Sequence, residues 1–201
     1  MSNYETMTDD LLYDSFLRGE TIAFDQLMIR YGDSLVLYLN GYLHDWQEAE
    51  DLMIEAFARI MAKRPSISSG NFKAYLFRTG RNLALRFHER RRRVQMFSVD
   101  SMEPDLADSV LAKSPEVREE SIPASQKLVD EERKRTLSLC IGRIEPELRE
   151  ALWLVYVDEL SYAQAANVMG VKVKRIDRLL YRGKQQMRIE LEKEGITNAY
   201  D

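Results

Sequence analysis

Asp45-Trp-Gln-Glu-Ala-Glu-Asp-Leu-Met-Ile-Glu-Ala-Phe-Ala-Arg-Ile-Met61 reads as one amphipathic helix. Asp45 stands at a cap position with Glu48 three residues on, the spacing of a capping box. Trp46, Ala49, Leu52, Met53, Ala56, Phe57, Ile60 and Met61 form its apolar stripe. Glu48, Asp51 and Glu55 recur every three to four residues and so share the opposite side. Pro65 ends this helix, Ser66-Ile-Ser-Ser-Gly70 reads as a short flexible loop, and a second helix opens at Asn71 with opposite chemistry. From Lys63 to Arg93 the charged residues are Lys63, Arg64, Lys73, Arg78, Arg81, Arg86 and the run Arg90 to Arg93, set against Glu89 alone. An acidic helix face joined to an aromatic-rich basic helix calls for two partners, one positively charged and one a polyanion.

Working outward from this pair, Thr8 caps a helix whose first turn holds Asp9 and Asp10, where the helix dipole favours negative charge. It buries Leu11, Leu12, Phe16 and Leu17 and stops at Gly19. Thr21 caps the next helix, whose Ile22, Phe24, Leu27, Met28, Tyr31, Leu35, Tyr38, Leu39 and Tyr42 recur at helical spacing. The basic arm buries Phe72, Leu76, Leu83 and Phe87, so these four helices share one core. From residue 98 to 124 the composition changes: Pro104, Pro115 and Pro123 interrupt any helix, and Asp and Glu dominate the charge. Beyond it Ser125 caps a helix reaching about Ile144, with Leu137, Cys140, Ile141 and Ile144 inward. Pro146 suits the first turn of the next helix, which buries Leu148, Leu152, Val155 and Tyr156. Ser161 caps a short helix broken by Gly170, and a last helix runs from about Lys172 to Glu194. The fold class expected is all-α: two small helical domains, residues 8–97 and 125–195, joined by an acidic flexible linker over 98–124.

Hydrophobic content of 45% with 31% charged residues is that of a soluble globular protein. The net charge of -4 would by itself argue against nucleic acid, but binding depends on where charges sit, and here the cations gather in two blocks. Cys140 is the only cysteine, which excludes an intramolecular disulfide and a thiolate metal cluster. His44 and His88 are far apart and lack ligand-like neighbours, so no metal and no cofactor is expected. No catalytic constellation and no phosphate-binding glycine loop is present. No apolar run approaches the ~20 residues of a membrane span, and the first residues lack a secretion signal, so a cytoplasmic location without membrane insertion is expected.

Ser161 to Arg188 has the proportions of a helix-turn-helix. Ala163, Ala165, Ala166, Val168, Val171, Ile176, Leu179 and Leu180 supply close packing, while Lys172, Lys174, Arg175, Arg178, Arg182, Lys184 and Arg188 supply cations for phosphates and guanine edges. An ordinary helical hairpin with a solvated basic face has the same pattern. In the basic arm Phe72, Tyr75 and Phe77 stand amid Lys73, Arg78 and Arg81, an interleaving that suits unpaired bases and their backbone. The competing reading makes the rings core and the arginines a solvated face. Phe77 lies off the main apolar stripe, which makes it the candidate for a base contact, and the Arg90 to Arg93 run is a candidate phosphate contact.

Together these residues resemble a bacterial sigma factor of the extracytoplasmic-function class, the minimal type with only regions 2 and 4. Glu48-Ala-Glu-Asp-Leu-Met-Ile-Glu-Ala-Phe-Ala-Arg is similar to the family's Asp-Ala-Glu-Asp-Leu-Val-Gln-Glu-Thr-Phe-Leu-Arg. Phe72-Lys-Ala-Tyr-Leu-Phe-Arg-Thr-Gly-Arg-Asn-Leu-Ala84 resembles Phe-Arg-Ala-Trp-Leu-Tyr-Arg-Ile-Ala-Arg-Asn-Leu-Ala, and Leu160-Ser-Tyr-Ala-Gln-Ala-Ala-Asn-Val-Met-Gly170 resembles Leu-Ser-Tyr-Glu-Glu-Ile-Ala-Glu-Ile-Leu-Gly. The resemblance implies a promoter-specificity subunit that catalyses nothing itself. Glu48, Glu50, Asp51, Ile54 and Glu55 would dock on the beta-prime clamp helices of core RNA polymerase, and the beta flap and an anti-sigma factor would be further partners. Promoter DNA at the -10 element would meet Lys63, Arg64, Ser68, Asn71, Lys73, Tyr75, Phe77, Arg78, Arg81, Asn82, Arg90 and Arg91. The -35 element would meet Lys172, Lys174, Arg175, Arg178, Arg182 and Lys184.

Several positions depart from that pattern. Ile54 replaces a Gln, Thr79 and Gly80 replace Ile-Ala, Lys172 stands where a Ser or Thr cap is usual, and Asp177 and Leu179 stand where Lys and Arg are common. Two rivals share parts of the pattern. One is a sigma-like decoy that binds an anti-sigma factor; the other is a helix-turn-helix repressor with a helical ligand-binding domain, which has no reason for the acidic helix, the promoter-melting aromatics or this linker.

Overall fold

Side-chain caps set the start of two helices in the N-terminal unit. Thr8 Oγ1 accepts from the Leu11 amide at 3.4 Å and Asp45 Oδ1 from the Glu48 amide at 3.1 Å, opening α1 (Asp9–Leu17) and α3 (Trp46–Lys63). The helix between them, α2 (Thr21–Leu43), starts differently from the sequence expectation. Its cap position is Glu20, Thr21 is already helical, and no side chain caps it. α3 stops where Pro65 has no N–H to donate, and the residue before a proline avoids the right-handed helical region. Arg64 accordingly turns left-handed, with φ 44. After the loop, α4 (Phe72–Ser98) runs through the whole basic arm. The computed structural model describes residues 4–98, 136–137 and 139–196; the Ser125 cap and residues 99–124 of the expected linker lie outside them.

The chain forms two compact units, and α1 to α4 make the first. Aromatic side chains tie its helices together. Phe16 of α1 meets Phe24 of α2 at 4.5 Å between ring centroids, Phe24 meets Phe57 of α3 edge-on at 5.9 Å, and Tyr13 of α1 meets Phe72 of α4 at 5.4 Å. α4 packs on α2 and on α3 at once. A helix held from two sides buries more than one stripe, and this corrects the reading of Phe77. It is 0% exposed and stacks obliquely on Tyr38 at 5.2 Å. α1 faces its neighbours with one side, so Leu11 and Leu17, expected inside, are 51% and 38% exposed. Ile22 and Met61 also reach solvent, and Trp46 and Phe87 are half-buried.

Gly80 sits where α4 crosses α2. A Cβ there would meet Leu35 Cδ1 at 3.0 Å and Leu39 Cδ2 at 3.4 Å. The mid-helix glycine, which costs ~1 kcal/mol of helix propensity against alanine, is what lets the two helices close on each other.

The second unit contains the helical residues 139–143, then α5 (Pro146–Leu152), a π-helical turn (Trp153–Val157), α6 (Tyr162–Met169) and α7 (Val173–Lys193). Pro146 occupies the first turn as expected, and Cys140 is buried as a packing residue. In the π turn the Asp158 amide donates to Trp153 O at 3.0 Å, one residue further back than in an α-helix. The extra residue rotates the side chains that follow. Leu154 therefore fills the core and Tyr156, expected inside, is 49% exposed. Ser161 and Gln164 form a full capping box at 2.9 and 3.3 Å, and Gly170 takes the left-handed conformation that ends α6. Ala163, expected to pack, is exposed.

At the α5–α7 crossing Gly183 repeats the device of Gly80: its Cβ would lie 3.0 Å from Leu152 Cδ1 and 3.4 Å from the Leu148 carbonyl. Gly80→Leu and Gly183→Leu should each lower unfolding free energy by about 2–3 kcal/mol, as overpacking does. Gly80→Ala should stay within about 1 kcal/mol of the parent, because gained helix propensity offsets the crowding of the terminal carbons of Leu35 and Leu39. Urea unfolding followed by circular dichroism measures both.

Candidate functional site

The outward line of α3 is Gln47, Asp51, Ile54 and Ala58, spaced by four, three and four residues and all exposed. Glu48 and Glu55 flank it on one side, half-buried, and Glu50 on the other. Two of these carboxylates are held in place: Glu50 accepts from Trp46 Nε1 at 2.8 Å, and Glu55 accepts from Arg59 at 2.6 and 3.0 Å. Ile54, 54% exposed, stands beside Asp51 at the centre of a face whose flanks carry the other carboxylates. The five residues expected to act together do lie on one side of one rigid helix.

Residues 64–71 join α3 to α4, and their backbone is held from inside and from α1. The Asn71 amide donates to Ser68 O at 3.1 Å and its side-chain Nδ2 to Ser69 O at 3.0 Å. Asp10 of α1 accepts from the Ser69 hydroxyl and from the Gly70 amide, and those bonds hold its carboxyl below the usual carboxylate range. Lys63, Arg64, Ser66 and Ser68 are exposed, and Asn71 is half-buried. Tyr75, half-buried, begins a line on α4 that continues through the exposed Arg78, Asn82, Arg86 and Arg90. Arg91, Arg92 and Arg93 are exposed as well, and Arg81 is half-buried.

Lys73 lies over the rings of Tyr31 and Phe77, its Nζ 5.6 and 5.5 Å from their centroids. It covers the buried Phe77. Neither residue therefore joins the outward line, and Phe77 is withdrawn as a base-contacting candidate.

In the second unit the cations of α7 divide by direction. Lys174 and Arg178 point outward with Tyr181 and Gln185, at helical spacing on the face opposite the buried Ile176, Leu179, Leu180 and Gly183. Arg175 and Arg182 reach sideways to the first turn of α5 and its cap. Arg175 pairs with Glu147 through nitrogen–oxygen distances of 2.7 and 2.8 Å, and Arg182 pairs with Glu145 at 3.1 Å. Lys184 Nζ sits 4.7 Å from the centre of the Tyr156 ring, whose hydroxyl raises the lysine's pKa. A groove of about 720 Å³ opens beside it, lined by Leu152, Trp153, Tyr156, Val157, Met187 and Leu191 among others.

Two family models match this chain in order: sigma-70 region 2 over residues 27–94 and sigma-70 region 4 over residues 134–187. The extracytoplasmic-function sigma factor SigE of Mycolicibacterium smegmatis is 29% identical over 88% of the chain, which spans 65% of the length of that relative. SigM of Bacillus subtilis is 23% identical over 83% of the chain and 94% of its own length. The sigma-E factor of Escherichia coli strain K12 is 26% identical over 90% of the chain and 93% of its own length. The chain belongs to the sigma-70 family, in its extracytoplasmic-function class. The sigma factor RpoE of Bartonella quintana, solved with the anti-sigma factor NepR, shares the fold with a TM-score of 0.63 at 21% identity over 84% of the chain and 96% of RpoE. CnrH, solved with the cytosolic domain of CnrY, shares it with a TM-score of 0.60 at 19% identity over 92% of the chain and 97% of CnrH.

Within this sigma factor the sequence reading found the acidic helix, the loop, the basic arm and the last helix. It missed Tyr181, which is 69% exposed in the outward line of α7. The 3.6-residue period counted from Arg178 would have found it, had aromatics on that helix been weighed with the cations. It also missed Asp10, whose partners are 59 and 60 residues away in sequence. Phe77→Ala should lower the sigma factor's unfolding free energy by about 3–5 kcal/mol, the cost of emptying an aromatic site in a core. Chemical denaturation reads this directly, and an unchanged midpoint would contradict the burial.

Proposed function

We propose that this sigma factor binds bacterial core RNA polymerase and directs it to a distinct set of promoters. One observation carries the reading: α3 presents carboxylates around an exposed Ile54, while the loop and α4 of the same rigid unit present cations and polar groups. A unit with these two faces suits an adaptor between a protein surface and a polyanion. The α3 face docks on the beta-prime clamp helices, with Ile54 in place of the family's Gln making the centre of that contact apolar. The loop over 64–71 and the line from Tyr75 to Arg90 engage the melted -10 strand. Lys174, Arg178, Tyr181 and Gln185 enter the major groove at the -35 element. Residues 8–97 and 125–195 are taken as the two functional domains, with 98–124 as the connection between them.

The groove beside Tyr156 suits an apolar helix, and we assign it to the beta flap. The fold shared with RpoE, which was solved with the anti-sigma factor NepR, supports a partner of that kind for this chain too. Its work is in the cytoplasm and it carries no active site of its own; the chemistry of RNA synthesis belongs to the polymerase. No helix among the described residues is long and apolar enough to cross a membrane.

Transcription in vitro from fragmented genomic DNA, with purified core polymerase and mapped 5′ ends, tests the reading. Starts that appear only with this protein and share two upstream motifs at fixed spacing are the expected result. Core binding without new starts would make it a decoy, and absence of core binding would make it a repressor-like DNA-binding protein. Reversing charge at Glu50 and Asp51 to lysine should abolish core binding and leave binding of the isolated protein to DNA intact. Arg178→Ala should cost about 1–3 kcal/mol of binding to promoter DNA, seen as a loss of -35 protection in a footprint.

A further inference from the structure

Three consecutive contacts join α1 to the segment between α3 and α4, and all come from one side of α1. Asp10, Tyr13 and Phe16 are spaced three residues apart, so they stack along a single face. Asp10 takes the Ser69 hydroxyl and the Gly70 amide, the latter at 2.9 Å to Oδ1 and 3.1 Å to Oδ2. Tyr13 donates its hydroxyl to Pro65 O at 2.7 Å. The Arg64 guanidinium lies 5.1 Å above the centre of the Phe16 ring. Both ends of the loop are thus fastened to one helix, and Ser66 and Ser68 stand exposed between the fastenings.

The fastening reaches the groups that would touch DNA. Gly70, at φ 72, has a backbone that other residues avoid. Its amide is spent on Asp10, which fixes the Ser69–Gly70 peptide, whose carbonyl accepts from the Asn71 side chain. Asn71 in turn donates from its side chain to Ser69 O and accepts from the Tyr75 amide at 2.9 Å, so its orientation follows from that of Ser69 and Gly70. Selecting one base over another requires donors and acceptors held to within a fraction of an ångström. A loop of small polar residues cannot supply that by itself.

We propose that α1 is the positioning element of the base-capture loop, with Asp10 and Tyr13 setting how strictly the -10 element is read. This rests on the assignment of the loop to the -10 strand made above. Neither residue touches DNA; both act through Asn71 and Ser68. Core binding, which uses the outward face of α3, is independent of them.

The test uses the full chain with core polymerase and promoters randomised across the -10 element, comparing the parent with Asp10→Ala, Asp10→Asn and Tyr13→Phe. Expected is a loss of discrimination of about tenfold between preferred and disfavoured bases in Asp10→Ala, the effect of removing hydrogen bonds to a charged group. Tyr13→Phe should give a smaller loss, since the ring stays packed on Phe72. Asp10→Asn should recover part of the selectivity, because its amide oxygen still accepts from Gly70. Core affinity and -35 protection should be unchanged in all three. If Asp10→Ala weakens every promoter equally, or leaves base preference intact, α1 has only a structural role and the proposal falls.

Amide hydrogen exchange at Gly70 is read alongside and needs no transcription. Faster exchange in Asp10→Ala is expected, and an unchanged rate overturns the proposal even if the parent protein starts no transcript. A parent that starts none while Gly70 exchange does accelerate refutes the assignment of the loop to promoter DNA, and with it the proposed role in reading the -10 element.

Discussion

Tyr13 is the point on which the N-terminal unit turns. Its ring is buried between Phe16 and Phe72, so it belongs to the aromatic core that joins α1 to α4. Its hydroxyl leaves that core and ends on the Pro65 carbonyl. Burial pushes the hydroxyl's pKa up, so it remains a donor through the whole working pH range. A buried hydroxyl without a partner would cost about 1–3 kcal/mol, and the loop supplies the partner. Core packing and loop geometry are consequently one problem. The loop cannot drift without leaving a phenol unsatisfied, and the core cannot repack without moving the loop.

The rest of the unit depends on how closely its helices approach. α4 lies against both α2 and α3, and Gly80 is what permits the contact with Leu35 and Leu39. That closeness sets the outward faces of α3 and α4 at a fixed relation. The acidic line of one and the basic line of the other are then two surfaces of one body, which net charge alone cannot reveal. Lys73 shows the same economy: by lying over Tyr31 and Phe77 it closes the core with its stem and keeps a cation near the surface.

Local signals were legible in the sequence and relational ones were not. Thr8, Asp45, Ser161 and Gly170 are read from chemistry within four residues, and each does what that chemistry dictates. Pro65 and Pro146 likewise act through their own rings. Thr21 misled, since a threonine before an apolar run can equally be the first helical residue, and Glu20 holds the cap position here. Phe77 misled because a stripe drawn for a helix with one neighbour is too narrow for a helix with two. Tyr156 misled because the π turn shifts the register by a residue, and no propensity announces such a turn. The contacts of Asp10 and Tyr13 with the loop span more than fifty residues and leave no pattern in the chain.

The cations of α7 show why a list of basic residues is an incomplete account of a helix proposed to bind DNA. Lys174 and Arg178 face outward, whereas Arg175 and Arg182 are drawn toward Glu147 and Glu145 at the start of α5. Solvated pairs of this kind are weak, so they orient the arginines at little energetic depth. A phosphate that approaches competes against a weak, solvated bond and gains from released counterions. Arg175 and Arg182 therefore link α5 to α7 through these pairs, and on the proposed reading they would turn to the DNA backbone when it arrives. On the proposed reading the outward-facing Lys174, Arg178 and Tyr181 would meet base edges, and the paired arginines would fix the register of the helix on the duplex.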